Sequence, residues 1–501
     1  MADQREERTV EQTLEERFRG EGITTSYLQR VLSDFSIKGF DAQKMSYTIT
    51  EAPLGFGRRI NSRIYFITVS AGTLKTQLVM KEPLKPHALY GARIHEMTPP
   101  QLAESEYQIL KHLGEIPVAL HQSSFSEKMR LIMPLYPGGS MDKLLMSNWY
   151  PIYHGRGDTW AGNPELLLKL KPHFDDVLRV IVRNQLQLTQ YSPVNPDGSI
   201  RVFKPNLDTL TERASQYFGA LTLVKRGIRN GGEMVDNLDV ARSAGGAYAR
   251  VADDLKMLLD FLAKGKAIIH GDCRPENVLV NGGEEVEKGS LNIALKHYQL
   301  IDWGGAKFGQ PTFDLVTFSN ALEFHNLGIY DADEPIPSLF TNSVYAAMAT
   351  VHYIRQNWRG IVHDHEKMDI DIAFHVTPEE HEDMDLEYRL LRIWDCLNRA
   401  GVYALSFLQH HEENQRYLES LGDIREKYSL EYVIDTYLNI LAELCIDFGF
   451  KNTAQVAQEL MFDENRWRGR ELKKSDEFDP FKNRKKNRGG IHTIGALETH
   501  L

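Results

Sequence analysis

The sequence predicts an α+β fold, in which a small β-rich unit is followed by a larger, mainly helical unit. Three observations support this prediction. Residues 47–82 alternate, are rich in Ile, Val, Tyr, Phe and Thr, and carry glycines between segments, as is typical of antiparallel strands joined by turns. A proline–glycine break follows at 137–139. Beyond this break, helical periodicity extends over most of the chain to about residue 460.

Length and composition fit a folded protein with more than one structural unit. The chain has 501 residues, of which 42% are hydrophobic and 25% charged, and these values exclude a mostly disordered chain. No run approaches the roughly 18 apolar residues of a spanning helix, so no membrane role is expected. The charged N-terminus does not resemble a secretory signal. Three widely separated cysteines favour a reducing, cytoplasmic environment over disulfides or a cysteine-based zinc site.

The first unit is predicted to span residues 45–133. A helical extension, 1–44, precedes it, with apolar side chains at helix-like spacing. Within the unit, 101–114 is a predicted helix closed by a glycine, and 129–135 is a further predicted strand. Residues 134–139 then form a hinge to the second unit.

The second unit is predicted to span residues 140–460 and to be mainly helical. A helical insertion is expected at about 147–245, and residues 267–302 return to a strand-like pattern with a polar turn inside. The segment 461–501 is polar and partly basic and is expected to be a loosely attached tail.

The most specific motif lies in the strand-like part of the second unit. The stretch AIIHGDCRPENVLV, 267–280, contains H-G-D with Asp272, and Asn277 follows five residues later. A second stretch, YQLIDWGGAKFGQPTFDLV, places Asp302 after an apolar strand and Asp314 twelve residues further on. In this order, these motifs resemble those of the protein-kinase-like phosphotransferases, in particular the aminoglycoside phosphotransferase and choline kinase branch.

This resemblance implies a two-lobed protein-kinase-like fold, with an antiparallel N-lobe at 45–133 and a helical C-lobe at 140–460. It also implies transfer of the γ-phosphate of ATP to a hydroxyl group, a reaction that depends on positioning and charge neutralisation. Asp272 is the candidate that orients or deprotonates the acceptor hydroxyl. Asn277 and Asp302 are candidate ligands of Mg²⁺, which prefers oxygen ligands.

Residues beside the motif are expected to have supporting roles. Arg274, two residues beyond the aspartate, is predicted to contact the transferring phosphate. His270 is interpreted as a structural residue of the loop rather than a base. The resemblance implies that Asp314 binds backbone groups near the catalytic loop and is not itself catalytic.

The N-lobe supplies the candidate nucleotide-binding residues. Lys81 ends the apolar strand LVMKEP and resembles the lysine that pairs with the α- and β-phosphates. Glu106, twenty-five residues later in a predicted helix, matches the glutamate that holds this lysine, with Glu104 as the alternative.

The predicted phosphate-covering loop lacks the full glycine motif of protein kinases. It contains Gly55, Gly57 and Asn61 and resembles the choline and aminoglycoside kinase form of the loop, but it has no G-x-G-x-x-G. In the connector between the lobes, a proline lacks an N–H, so Leu135 or Tyr136 is expected to donate the hydrogen bond to adenine.

The acceptor is predicted to be a small molecule, with a protein substrate as the alternative. Arg274-Pro275-Glu276-Asn277 resembles the Lys-Pro-Glu-Asn of protein kinases. However, glycine follows the motif histidine, Asp-Trp-Gly replaces Asp-Phe-Gly, and no Ala-Pro-Glu is found. A nucleotide-binding pseudokinase or scaffold is a further alternative. The sequence does not distinguish among aminoglycosides, amino alcohols, sugars and nucleosides as acceptors.

Two segments of the chain, 363–387 and 482–488, are strongly charged. Residues 363–387 are acidic and contain four histidines; a solvated surface is favoured over a metal site or an acidic wall for a cationic acceptor. The net charge of −11 argues against a chain that coats nucleic acid. The basic run at 482–488 is interpreted either as a solubilising tail or as a contact for nucleic acid, an acidic partner or the acidic segment.

Overall fold

A five-stranded antiparallel sheet forms the first part of the fold, which we describe from a computed structural model. The structure describes residues 14–52, 62–84, 97–114, 116–123, 127–136, 138–141, 164–192, 202–230, 237–280, 298–322, 338–361, 378–409 and 430–462. The strands are β1 (Met45–Glu51), β2 (Ser62–Ala71), β3 (Leu74–Pro83), β4 (Ala119–Gln122) and β5 (Met129–Pro134). Their order in the sheet is β1-β2-β3-β5-β4, and every neighbouring pair is antiparallel.

Two helical segments before the sheet pack against it. Helix α1 (14–20) and helix α2 (Thr25–Asp34) belong to the predicted extension. Their buried apolar side chains form one core with those of the sheet; the core includes Phe18, Ile23, Leu28, Val31, Leu32, Tyr65, Ile67 and Val69. The Tyr47 hydroxyl of β1 donates a hydrogen bond to the Ile23 carbonyl at 2.6 Å. The extension is therefore part of the N-lobe core.

Helix α3 (Pro99–Leu113) has local signals at both ends. Thr98 and Gln101 form a capping box at its N-terminus. Gly114, with φ of 67°, ends the helix in the left-handed conformation, and its N–H donates to the Leu110 carbonyl. The helix buries Glu106 against the sheet.

The second part is mainly helical. Its helices are α4 (Pro164–Leu188), α5 (Leu207–Asn230), α6 (Asn237–Ala263), α7 (Phe313–Ala321), α8 (Ser338–Ile361), α9 (Pro378–Gln409), α10 (Leu430–Phe448) and α11 (Lys451–Leu460). Residues from the predicted insertion are integrated into this core, where Phe174, Leu178 and Phe218 are buried. At the crossing of α5 and α9, a Cβ on Gly401 would lie 2.2 Å from Tyr217 Cγ, so the helices pack almost backbone to ring.

Two small antiparallel ladders are formed by the segments between α6 and α7. Strand β6 (Ala267–Ile269) pairs with β9 (Lys307–Gly309), and β7 (Val278–Val280) pairs with β8 (Tyr298–Leu300). The connector after β5 joins β7 directly, since the Val280 N–H donates to the Gly139 carbonyl at 2.9 Å. Gly138 is required there, because a Cβ would lie 2.1 Å from the Val280 carbonyl oxygen.

The predicted α+β class, with a small antiparallel part and a larger helical part, is confirmed. The antiparallel strands expected within 47–82 are present as β1, β2 and β3, and the helix expected at 101–114 is present as α3. Strands β4 and β9 were not predicted. Within the described ranges, none of the helices is both long and apolar enough to cross a membrane.

Candidate active site

The loop after β6 is held by a buried carboxylate. Asp314, in the first turn of α7, accepts hydrogen bonds from the backbone N–H of His270 at 2.8 Å and of Gly271 at 2.9 Å. Gly271 has φ of 78°, a conformation that glycine adopts without strain. Burial raises the pKa of Asp314, and these two hydrogen bonds oppose that effect. The backbone contact expected of Asp314 is therefore present.

His270 is bound to backbone through both ring nitrogens. Its Nε2 lies 2.7 Å from the Ile301 carbonyl oxygen, which can only accept, so Nε2 carries the hydrogen. Its Nδ1 accepts from the backbone N–H of Asp272 at 3.3 Å. Because both nitrogens are used in holding the loop, the geometry supports the interpretation of His270 as a structural residue.

Asp272 lies between two guanidinium groups. Arg274 Nη2 is 3.0 Å from Asp272 Oδ2, and Arg399 Nη1 is 2.7 Å from Asp272 Oδ1. Desolvation raises the pKa of Asp272, but Arg274 and Arg399 outweigh it and hold the pKa well below the usual value of 3.8. The carboxylate is therefore ionised at neutral pH and is a weak base, which suits the orientation of a hydroxyl group.

Asn277 binds the same aspartate through its amide nitrogen. Nδ2 donates to the Asp272 carbonyl oxygen at 2.8 Å and contacts Asp272 Oδ2 at 3.2 Å. The amide oxygen therefore points away from Asp272 and can serve as a metal ligand.

Lys81 joins the two parts of the fold. Its ammonium group contacts Glu106 Oε2 at 2.6 Å and also forms an ion pair with Asp302 Oδ1, 221 positions later in the sequence. The Glu106 side chain is 1% exposed, whereas that of Asp302 is 49% exposed. Desolvation raises the pKa of Asp302, but the adjacent ammonium outweighs it and lowers the pKa below its ordinary value. Sheet, helix and C-lobe loop thus meet around one cation.

The backbone at Asp302 and Gly304 lies close to these charged groups. Asp302 has φ of 66°, in the left-handed region that is uncommon for residues other than glycine. A Cβ on Gly304 would lie 3.1 Å from Glu106 Oε2 and 3.4 Å from Lys81 Nζ. A glycine therefore lets the loop approach Lys81 closely.

The oxygen groups present fit Mg²⁺. Asn277 can offer an amide oxygen, and Asp302 has a half-exposed carboxylate with a second oxygen beyond the one bound to Lys81. Mg²⁺ is commonly held by one or two such protein groups together with phosphates and water. Among the residues that the structure describes, no group of three or more His, Cys, Asp and Glu side chains forms a metal site. A metal here would therefore rely on the nucleotide for further ligands.

The structure distinguishes between Leu135 and Tyr136, the two candidate donors of a hydrogen bond to adenine. The Leu135 N–H donates to the Gln77 carbonyl at 2.9 Å as an extension of the sheet, so it is not directed at a base. Tyr136 is then the candidate donor. Gly55, Gly57 and Asn61 lie outside the described residues.

Arg399 was not predicted as a site residue. It lies on α9, 127 positions after Asp272, and sequence motifs around the catalytic loop gave no indication of it. One signal was available in the sequence, since Asp395 and Arg399 have the i, i+4 spacing of an ion pair on one helix face.

Of the acidic segment 363–387, residues 363–377 lie outside the described part, as does the basic run at 482–488. Two acidic residues of the segment have described contacts. Asp385 accepts from the Tyr345 hydroxyl at 2.6 Å and pairs with Arg389. Glu387 accepts from His352 Nε2 at 2.8 Å. The described contacts thus involve other protein groups, with no cationic acceptor required.

Comparison with solved structures finds several kinases with similar folds. Plasmodium vivax ethanolamine kinase is 12% identical, with 81% of this chain and 83% of that chain covered and a TM-score of 0.41. A choline kinase from Streptococcus pneumoniae is 11% identical, with 84% and 98% covered and a TM-score of 0.37. An aminoglycoside phosphotransferase from Streptomyces rimosus is 12% identical, with 68% and 92% covered and a TM-score of 0.32. No family model matches the chain, and no curated protein sequence matches it significantly.

Proposed function

We propose that this protein is an ATP- and Mg²⁺-dependent phosphotransferase that transfers the γ-phosphate to a hydroxyl group of a small molecule. The observation that carries the proposal is the contact of Lys81 with both Glu106 and Asp302. It places the sheet lysine beside the C-lobe carboxylate, as binding of one triphosphate between the lobes requires.

Lys81 would bind the phosphates of the nucleotide. An ammonium group has three N–H donors, and the described contacts of Lys81 use two of them, to Glu106 and Asp302. The third can then reach a phosphate oxygen. Desolvation lowers the pKa of Lys81, but Asp302 and Glu106 outweigh it and raise the pKa above the ordinary value, so the group is charged.

Asn277 and Asp302 would hold Mg²⁺ by their oxygen atoms. The metal supplies neutralisation of the charge on the phosphates when it is bound. Arg274, which contacts Asp272 Oδ2, would bind the transferring phosphate.

Asp272 would orient the acceptor. In the transfer step, the acceptor oxygen bonds to the γ-phosphorus while the bond from that phosphorus to the β-phosphate oxygen breaks, and ADP leaves. The hydroxyl proton passes to the Asp272 carboxylate. Because the pKa of this carboxylate is low, it takes up the proton only late in the transfer step. Orientation of the hydroxyl is therefore the larger part of its contribution.

A small-molecule acceptor is favoured by the residues at the site. Gly271 follows the motif histidine, and Asp302-Trp303-Gly304 stands where protein kinases have Asp-Phe-Gly. The three cysteines all lie among the described residues, are buried and form no disulfide, which fits a reducing compartment, and we propose a cytoplasmic location.

The proposal is tested by ATP consumption across a library of hydroxyl-bearing metabolites and a panel of proteins. Asp272→Asn, which keeps the side-chain shape, serves as the blank and is expected to lower turnover by about 10² to 10⁴. Its affinity for Mg-AMP-PNP, measured by calorimetry, should stay within about twofold of the wild type, because Asp272 acts on the acceptor.

Three outcomes would contradict the proposal. Equal turnover by Asp272→Asn would remove the role of the aspartate. Absence of Mg-AMP-PNP binding by the wild-type protein would remove the nucleotide site. Phosphate transfer to proteins without transfer to any metabolite would instead support the protein kinase alternative.

A further inference from the structure

Arg399 is a buried cation with unsatisfied hydrogen-bond donors. Its side chain is 5% exposed, and its Nη1 binds Asp272 Oδ1 at 2.7 Å. Its Nε lies 3.3 Å from Asp395 Oδ1 in an ion pair. Nη2 is buried and has no hydrogen-bond partner in the described part of the chain.

An unsatisfied donor of this kind destabilises the protein. A buried polar group without a partner has lost its hydrogen bonds to water and gained none in the protein, and the loss is larger for a charged group. Arginine cannot relieve the cost by losing its proton, since its pKa is too high. An oxygen atom supplied by a ligand would satisfy Nη2. The planar guanidinium group matches the geometry of a carboxylate or a phosphate.

The position of this donor is fixed by its neighbour on the same group. Nη1 and Nη2 belong to one planar guanidinium, and Nη1 binds the carboxylate that would orient the acceptor hydroxyl. A ligand oxygen bound to Nη2 would therefore lie near Asp272, within reach of an acceptor whose hydroxyl that aspartate orients.

The carboxylates around Arg399 already have protein partners. Asp272 is bound by Arg274 as well as by Arg399. Asp395, which is buried, accepts from Asn320 Nδ2 at 2.6 Å and from Thr317 Oγ1 at 3.4 Å. An ammonium group on the acceptor would meet two guanidinium groups there, and like charges at short range repel.

A third basic side chain, that of Lys307, lies near the same loop. A Cβ on Gly271 would lie 3.4 Å from Lys307 Nζ. Desolvation and the charge of Arg213 lower the pKa of Lys307 to about 7, although Asp272 and Asp314 oppose this. The surroundings of Asp272 are therefore rich in cationic side chains.

We propose that the acceptor carries an anionic group, a carboxylate or a phosphate, and that Arg399 binds it. This inference rests on the proposed function and names the class of its acceptor. Arg274 serves the transferring phosphate, and Arg399 serves the anionic group of the acceptor. Hydroxy acids and phosphorylated alcohols are thus the substrates expected, and simple amino alcohols are not.

The test uses protein whose nucleotide site is filled with Mg-AMP-PNP. Inorganic phosphate, acetate and ethanolamine are then titrated separately by calorimetry into the wild type, Arg399→Gln and Arg389→Gln. Arg389 is the matched control, because it lies on the same helix, is 40% exposed and pairs with Asp385 and Asp447. We expect phosphate or acetate to bind the wild type and the control, and to bind Arg399→Gln at least about tenfold more weakly. The anion that binds more tightly, phosphate or acetate, identifies the anionic group of the acceptor.

Turnover provides a second readout with matched acceptors. Glycerate, glycerol and serinol share a three-carbon skeleton, and they are anionic, neutral and cationic, respectively. We expect the order glycerate, then glycerol, then serinol in kcat/KM for the wild type, and loss of the preference for glycerate in Arg399→Gln with an unchanged KM for ATP.

The inference would be overturned if neither anion binds the nucleotide-filled wild type, if Arg399→Gln binds both as well as the wild type, or if serinol is the preferred acceptor. In those cases, retained binding of Mg-AMP-PNP and retained turnover leave the phosphotransferase proposal standing. Failure of the wild type to bind Mg-AMP-PNP would overturn both.

Discussion

Lys81 illustrates how a single side chain can depend on three parts of a fold. Strand β3 carries it, α3 supplies Glu106, and the loop after β8 supplies Asp302. Burial raises the pKa of Glu106, and only the Lys81 ammonium and smaller favourable effects oppose it. The lysine therefore compensates a carboxylate that would otherwise be unfavourable in this position.

Replacing Lys81 by methionine should weaken nucleotide binding while keeping the side-chain length. A hydrogen bond to a charged group contributes about 1.5–3 kcal/mol, so the Kd for Mg-AMP-PNP should rise about 10-fold to 100-fold. Calorimetry measures this change. Lys75→Met, at an exposed position of the same strand, is the control and should bind as the wild type does. Equal affinity of the two variants would show that Lys81 does not contact the phosphates.

Residues of the candidate site were accessible from the sequence where a short motif fixes them. Asp272 and Asn277 lie five positions apart on one loop, so a local pattern contains their relation. Lys81 and Glu106 needed the resemblance, because only the paired sheet and helix bring them together. Arg399 was missed, since its contact with Asp272 depends on how a distant helix crosses the C-lobe.

Elements were predictable to the extent that their own residues determine them. The capping box at Thr98 and the left-handed Gly114 mark α3 in the sequence. Strand β4 has four residues and β9 has three, and each is defined by pairing with a partner, β5 and β6 respectively. Patterns that short carry too few alternations to predict a strand.

The crossing of α5 and α9 is the element contact that places Arg399. Gly401 on α9 faces the ring of Tyr217 on α5, and the Tyr217 hydroxyl donates to Asn398 Oδ1 at 2.6 Å. This contact lies within one turn of Arg399, so the close approach of the two helices sets the position of its guanidinium group.

Gly401→Ala should therefore destabilise the protein, because the added Cβ would lie 2.2 Å from Tyr217 Cγ. Overpacking of this kind costs about 1–3 kcal/mol, which the midpoint of urea unfolding measures. Gly246→Ala is the matched control, since Gly246 lies within α6 and a Cβ there meets nothing within 4 Å. That control should gain up to about 1 kcal/mol. A Gly401→Ala midpoint at or above that of Gly246→Ala would contradict the close packing.

At the scale of the whole molecule, the N-terminal extension is tied to the sheet by buried charges. Arg130 on β5 is fully buried and binds Glu82 Oε2 at 2.5 Å and also Glu21, which follows α1. Glu82 adjoins Lys81 on β3, and Arg130 lowers the Glu82 pKa below its ordinary value despite the opposing effect of desolvation. The extension therefore supports the strand that carries the candidate nucleotide lysine.

A second buried network joins helices α8 and α9 to the segment just before Asp314, the residue that holds the loop after β6. Glu387 on α9 accepts from His352 on α8 at 2.8 Å and from Thr312, two residues before Asp314. Desolvation lowers the pKa of His352, but Glu387 outweighs it and raises the pKa above the ordinary 6.5. Desolvation likewise raises the pKa of Glu387, and His352 reverses this to a value below 4.5.

These opposite shifts give a pH window for the stability that the pair contributes. The raised pKa of His352 means that its contribution is full below about pH 6.5 and is lost as pH rises through the folded-state pKa. The lowered pKa of Glu387 means that its contribution is full above about pH 4.5 and is lost as pH falls through the folded-state pKa. The pair therefore stabilises the fold most between about pH 4.5 and 6.5.

His352→Gln should reduce the free energy of unfolding by about 1.5–3 kcal/mol near pH 5.5, because it removes the charge from this hydrogen bond. The difference from the wild type should shrink as the pH rises through the raised folded-state pKa of His352, because the contact then loses its charge. Urea unfolding at a series of pH values measures the difference. His112→Gln, at an exposed position on α3, is the control and should show no such change with pH. A difference between wild type and His352→Gln that stays constant from pH 5.5 to 9, or grows with pH, would show that the His352–Glu387 contact does not carry a charge in the folded protein.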